Sequence, residues 1–143
     1  MPEQNYQNHT QRVAGFLILG AVLAVVLIGS LVNLYQSMGD HQRLYSAALL
    51  VVLSMCVLGA AAYARMFALK AQDRAIRAEE NLRHYVLTGK LLDARLQPLQ
   101  IVALRFASDA EFAELARKAA DSGMTPDAIK QAVRSWRADT YRV

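Results

Sequence analysis

Residues 45–88 read YSAALLVVLSMCVLGAAAYARMFALKAQDRAIRAEENLRHYVLT. The first part, Ser46 to Ala64, carries no charge. A helical crossing of the hydrocarbon core takes about 20 such residues. From Arg65 onward the stretch is charged on both signs, with no proline in between. It is therefore expected to be one helix, apolar and membrane-spanning at one end and water-facing at the other.

The charged half supports helix in its own right. Ala71, Ala75, Ala78, Leu82 and Tyr85/Val86 recur every three to four residues and draw one narrow apolar stripe. Asp73–Arg77, Glu79–Arg83 and Glu80–His84 each place an acid four residues before a base, the favourable order on a helix. Gly89-Lys90 supplies a stop. At 1.5 Å per residue, an unbroken helix over this stretch is roughly 65 Å long, about half of it beyond the hydrocarbon. The small unit beyond Gly89 is expected to pack on this stripe, on another protomer, or on both.

Val13 to Tyr35 is a second apolar run, 23 residues without charge. It is longer than a signal-peptide core, lacks a small-residue cleavage site, and reads as a retained transmembrane helix. Between the runs lies QSMGDHQRL, residues 36–44, with Gly39-Asp40 as a turn signal. So short a link makes its flanking helices antiparallel neighbours, bracketed by Tyr35 and Tyr45 at a membrane boundary. The link carries one positive charge, Arg43. The other side carries Arg12, Arg65, Lys70, Arg74, Arg77 and Arg83. Both termini are thus expected in the cytoplasm. Gly20–Ala24 and Ala60–Ala64, with Gly59, Ala61 and Ala62 alongside, offer small-residue faces, read either as packing surfaces or as ordinary apolar filler.

The expected fold class is all-α: a two-span transmembrane hairpin whose second helix extends into the cytoplasm and carries a small helical domain. The divisions are a polar N-terminal tail (1–12), spans at 13–35 and 45–64 joined by an external turn (36–44), the cytoplasmic extension (65–88) and the small domain (89–143). The tail is either loose or docked through Tyr6 and its amide side chains against the water-facing helices.

Within the small domain, a short helical turn is expected over Leu91–Leu96. Pro98 suits the first position of a helix. That helix is apolar on most sides, with Leu99, Val102, Ala103 and Phe106 on one face and Ile101 and Leu104 widening it, so it should be central. Ser108 to Glu111 has the form of a capping box. It opens a helix burying Phe112, Leu115, Ala116 and Ala119 and ending near Gly123. Thr125-Pro126-Asp127 starts a last helix, with Ile129, Val133, Trp136 and Thr140 inward.

The net charge of +4 arises entirely from Arg65 onward, where fourteen Lys/Arg face ten Asp/Glu. The signs are interleaved, unlike the concentrated basic charge of nucleic-acid binders. Lys130, Arg134 and Arg137 nevertheless fall at i, i+4, i+7 beside Trp136. On a helix they form a basic stripe, either solvated and internally paired or contacting a partner protein or anionic headgroups; nucleic acid is the least favoured partner.

Catalytic chemistry finds no pattern to stand on. His9, His41 and His84 have no zinc-ligand spacing, and the expected topology puts His41 on the opposite side from the other two. Cys56 sits in mid-span, where a thiol stays protonated. Glu79-Glu80 belongs to an exposed helix face. No ionisable residue lies within either span, where one would mark a transport path; Ser30, Asn33 and Ser54 are the most polar groups there. The expectation is a non-enzymatic membrane protein without cofactor, presenting a helical interaction module to a second copy or a larger membrane protein. The alternative is an accessory subunit of a transport or channel assembly.

Gln4-Asn5-Tyr6-Gln7-Asn8-His9, Leu104-Arg105-Phe106-Ala107-Ser108-Asp109, Trp136-Arg137-Ala138-Asp139 and Tyr141-Arg142-Val143 together carry a resemblance. The chain resembles, over nearly its whole length, an uncharacterised family of small two-span bacterial membrane proteins, a domain of unknown function. That resemblance implies a bacterial inner-membrane protein with a water-facing helical domain, and no catalytic or ligand residue. Some members bear labels that imply a link to transporter permeases.

Overall fold

A computed structural model describes residues 4–10 and 13–139. The protein is all-helical. Its elements are α1 (Ala14–Gln36), α2 (His41–Thr88), α3 (Pro98–Leu104), α4 (Asp109–Ser122) and α5 (Pro126–Ala132). The chain forms two compact units: residues 12–68, and residues 1–11 with 69–143. Arg12, Thr140 and the terminal Tyr141-Arg142-Val143 lie outside the described residues.

In the first unit, α1 and the first part of α2 are both long and apolar enough to cross a membrane. α2 starts at His41 rather than Tyr45, because the Asp40 carboxylate accepts from the backbone N–H of Gln42 and Arg43 and caps the helix four residues early. The less exposed positions follow an alternating four-and-three spacing. On α1 they run through Gly20, Leu23, Leu27, Ser30 and Leu34, and on α2 through Ala47, Val51, Ser54, Leu58 and Ala61. On each helix that is a heptad spacing. The Arg65 guanidinium stands 5.5 Å from the centre of the Phe16 ring, and both residues lie on these stripes.

The small-residue reading needs correcting here. Of the small residues, Gly20, Gly59 and Ala61 are among the less exposed positions, whereas Ala24, Ala60, Ala62 and Ala64 are exposed. A Cβ at Gly20 or Gly59 would meet nothing within 4 Å, so no backbone approaches closely there. A heptad stripe drifts off any strict four-residue repeat, so neither pair lies on it with both members. The buried hydroxyls are satisfied within their own helices: Ser30 donates to the Leu27 carbonyl at 2.8 Å and Ser54 to Leu50 at 2.7 Å.

α2 continues without interruption into the second unit and ends where Gly89 takes φ +72°, a left-handed conformation that glycine adopts freely. The Thr88 hydroxyl donates to the His84 carbonyl, and the His84 ring Nδ1 lies 2.7 Å from the Lys90 carbonyl. The expected helical turn over Leu91–Leu96 is absent. Asp93 instead accepts from the Arg95 backbone N–H, and the Leu96 N–H bonds to the Asp93 carbonyl, so an aspartate-centred turn replaces it.

The core of this unit packs Leu104, Phe106, Phe112 and Ile129, all fully buried, with Leu96, Ile101, Leu115, Ala119 and Val133. α3 is central, as its composition required, and buries Ile101, Ala103 and Leu104 as expected, but Gln100 is buried with them while Leu99 faces out. The Gln100 side chain accounts for this: its Oε1 accepts from Gln97 N–H at 2.6 Å, and its Nε2 donates to the Met124 carbonyl at 2.7 Å. α4 buries Phe112, Leu115, Ala116 and Ala119 and ends at Gly123, with φ +59°. α5 is capped by Thr125, whose hydroxyl accepts from Ala128 N–H. It stops at Ala132; Val133 is extended, and Trp136 pairs with Ala107 in an isolated antiparallel bridge.

Candidate functional site

The functional question turns on the face of α2 that meets the small helical core, and on where the basic residues near the C-terminal end go. The face of α2 that is covered is not the apolar stripe. Ile76 is 7% exposed and Glu80 5%, whereas Leu82 is 63% and Val86 75% exposed. Ala71, Ala75, Ala78 and Tyr85 are exposed as well. The docking face is a polar one, one-third of a turn or more away, centred on Ile76, Glu80 and Arg83.

Arg83 is the hub. Its Nη1 donates to Glu80 at 2.9 Å, Nη2 donates to the Ala107 carbonyl at 2.7 Å, and Nε donates to the Asp109 carboxylate at 2.7 Å. The guanidinium also stands 4.3 Å from the centre of the Phe112 ring. A planar donor fork can satisfy three acceptors while lying against an aromatic face, which an ammonium cannot do. Asp109 is the first residue of α4, so its charge also suits the positive end of that helix. The expected partners Glu79–Arg83 and Glu80–His84 are thus replaced: Arg83 turns to Glu80 and Asp109, and His84 turns to Lys90 and packs edge-on to Phe112.

The predicted capping box is replaced too. Ser108 stands at the N-cap of α4 without a side-chain hydrogen bond to the helix. Glu111 does not reach back; its two oxygens accept from the backbone N–H of Arg134 and Ser135 at 3.1 and 2.9 Å. It thereby holds the non-helical chain beyond α5. The bridge is completed by Ser108 N–H to the Ser135 carbonyl and Arg137 N–H to the Phe106 carbonyl.

This arrangement disperses the basic stripe. Only Lys130 is in a helix, and it lies 3.3 Å from Asp127. Arg134 and Arg137 lie beyond the helix in non-helical chain, where no i, i+4, i+7 face exists, because residues 133–137 pair with Glu111 and the 106–108 backbone instead of coiling on. Arg137 lies 3.9 Å from Glu80. Trp136 is half-buried, its ring 4.9 Å from that of Phe106.

Residues 4–10 dock onto the same unit. The Gln131 amide donates to the Tyr6 hydroxyl at 3.1 Å, and Gln4 exchanges hydrogen bonds with the Asp139 backbone. The His9 ring lies between Tyr6, Phe106 and Trp136 at 5.6 to 6.0 Å. Of the two readings of the tail, docking through Tyr6 and the amides describes these residues. Arg105 lies against Phe106 and reaches Asp139 at 2.7 Å. Away from these contacts, Arg95 bridges Asp93 and Asp121 at 2.7 and 2.9 Å. The Arg95 guanidinium holds the Asp93 carboxyl at about 2, and Asp93 in turn raises Arg95.

Chemically, the site is a set of structural ion pairs and aromatic contacts. Among the described residues no group of three or more His, Cys, Asp or Glu could hold a metal ion. Sequence spacing missed the role of Arg83 because its two long-range acceptors, Asp109 and the Ala107 carbonyl, are some 25 positions away. Glu80, three residues before it on the same helix, was the one local signal.

The molecule is therefore an all-helical protein with two helices long and apolar enough to cross a membrane. The model described as a family of unknown function (DUF6526) matches residues 1–143, and the chain belongs to that family. No curated protein and no solved structure matches it.

Proposed function

We propose that the protein is a non-enzymatic, two-pass integral membrane protein of the bacterial inner membrane, with both termini cytoplasmic. In this reading α1 and the first part of α2 form a transmembrane hairpin, and the small helical unit is an interaction module on the cytoplasmic side.

One observation carries the reading. Away from their less exposed stripes, α1 and the first part of α2 present large apolar side chains outward, among them Leu17, Ile18, Val25, Ile28, Leu49, Val52 and Leu53. Soluble monomers rarely leave so continuous an apolar surface in water, and lipid covers it without cost to the backbone, which is satisfied within each helix. The charge distribution of Arg65, Lys70, Arg74, Arg77 and Arg83 against the single Arg43 supports the orientation. The ionised groups of the small unit support a binding role rather than catalysis, since Arg83, Glu80 and Glu111 are committed to holding its parts together.

The test is alkaline-carbonate washing and density flotation of membranes, followed by purification of the full chain in mild detergent. Retention in the membrane together with a homo-oligomer or a defined partner supports the reading. Release by carbonate contradicts the anchoring. Isolation only with a larger permease would favour an accessory subunit of a transport assembly.

A further inference from the structure

The uncovered stripe of α2 is apolar, exposed and opposite the face that docks the small unit. At about 100° per residue, Ala71, Ala75, Ala78, Leu82 and Tyr85 lie within roughly 40° of one line, while Ile76, Glu80 and Arg83 lie roughly 120–180° away from it. The spacing of the stripe is four, three, four, three, which is a heptad seam with Ala75 and Leu82 at one core position and Ala71, Ala78 and Tyr85 at the other. The small unit is already seated on the opposite face, so nothing in the second unit covers this seam.

We propose that this seam binds the same seam of a second copy as a short parallel coiled coil over residues 71–85. This proposal rests on the membrane-anchored reading above and names the partner of the interaction module. Charge complementarity selects the occupant. Arg74 precedes a core position and Glu79 follows the next one of the other kind, so they flank the seam on opposite sides. In a parallel pair such positions, five residues apart, face each other across the interface. Arg74 of one copy then meets Glu79 of the other, twice by symmetry. An antiparallel pair loses that match. Among the described residues neither Arg74 nor Glu79 is in an ion pair within the chain, and Arg83, the partner expected for Glu79, is held by Glu80 and Asp109.

Alanine at three of the five core positions brings the helices close and leaves Leu82 and Tyr85 as the large contacts. Two heptads of such a seam are weak in free solution, because isolated short helices are marginal. Two copies anchored in one membrane share orientation and are confined together, which raises their effective concentration without any new contact. The parallel arrangement is the one that a common membrane orientation permits.

The test is disulfide cross-linking of the full chain in native membranes, with Cys56→Ala as background and one cysteine added at a time. Ala75→Cys, Ala78→Cys and Leu82→Cys are expected to give the dimer. Arg77→Cys, exposed but off the seam, is expected to give at least several-fold less. Arg74→Glu and Glu79→Arg are each expected to lower the Ala78→Cys yield about two- to fivefold, the scale of exposed ion pairs, and the double reversal to restore it. Equal yields on and off the seam, no dimer, or no restoration by the double reversal would overturn the proposal. A cross-link from Leu82→Cys to a different protein, without the dimer, overturns it too while leaving the interaction-module reading intact. Failure of membrane retention in the flotation assay is read separately and bears on the anchoring alone.

Discussion

Among single residues, Arg83 does the most to join α2 to the core beneath it. Glu80 beside it is nearly buried, so removing the guanidinium leaves a buried carboxylate without its charge-assisted donor. Breaking such a pair from one side costs more than the pair contributes. Arg83→Ala is expected to destabilise the second unit by about 3 kcal/mol, read as a lower thermal midpoint of the full chain in mild detergent. Arg83→Lys should recover only part of this, since an ammonium cannot fork to Glu80, Asp109 and the Ala107 carbonyl together. A different residue sets a pH response. The Asp93 carboxyl is held at about 2 in the folded chain, against 3.8 when free. A lowered folded value means that its contribution is fully present above about pH 4 and is lost as pH falls toward about 2. Both groups are exposed, so the effect is local. The Arg95 amide is expected to exchange faster across that window relative to the core amides, and Asp93→Asn to abolish the difference.

Some element boundaries were legible in the sequence and others were not, for physical reasons. Pro98, Gly123 and Thr125-Pro126 mark their boundaries in the structure because each acts through backbone geometry or a bond three residues away. The inner face of α4 was legible for the same reason: Phe112, Leu115, Ala116 and Ala119 follow a helical period. What sequence spacing could not show was competition from distant groups. Glu111 was free to close a capping box and instead holds Arg134 and Ser135, and that is what stops α5 short and leaves a supposed basic helix face as non-helical chain. Glu111→Ala should therefore release residues 133–137. The expected result is faster amide exchange at Arg134 and Ser135 and a loss of about 1–3 kcal/mol, with α4 itself intact. The docking face of α2 was illegible for a related reason. Its polar residues, buried Glu80 and half-buried Arg83, are tolerated there because they satisfy each other and Asp109, a pairing that hydrophobic periodicity does not register. At the end of the same helix, Gly89 has positive φ, and Gly89→Ala is expected to cost about 1 kcal/mol through backbone strain, although its Cβ would meet nothing.

For the molecule as a whole, the proposed role depends on α1 and the first part of α2 crossing a membrane twice, with the helical unit on the cytoplasmic side. The two apolar runs were the most legible feature of the chain, because length and absence of charge suffice to recognise them. The topology is tested by labelling single cysteines with a membrane-impermeant maleimide, in a Cys56→Ala background, in spheroplasts before and after lysis. Met38→Cys probes the exposed turn between α1 and α2, and Lys118→Cys an exposed position on α4. Met38→Cys is expected to be labelled in intact spheroplasts and Lys118→Cys only after lysis; labelling of both before lysis, or of Lys118→Cys alone, would contradict the two-pass, cytoplasmic arrangement.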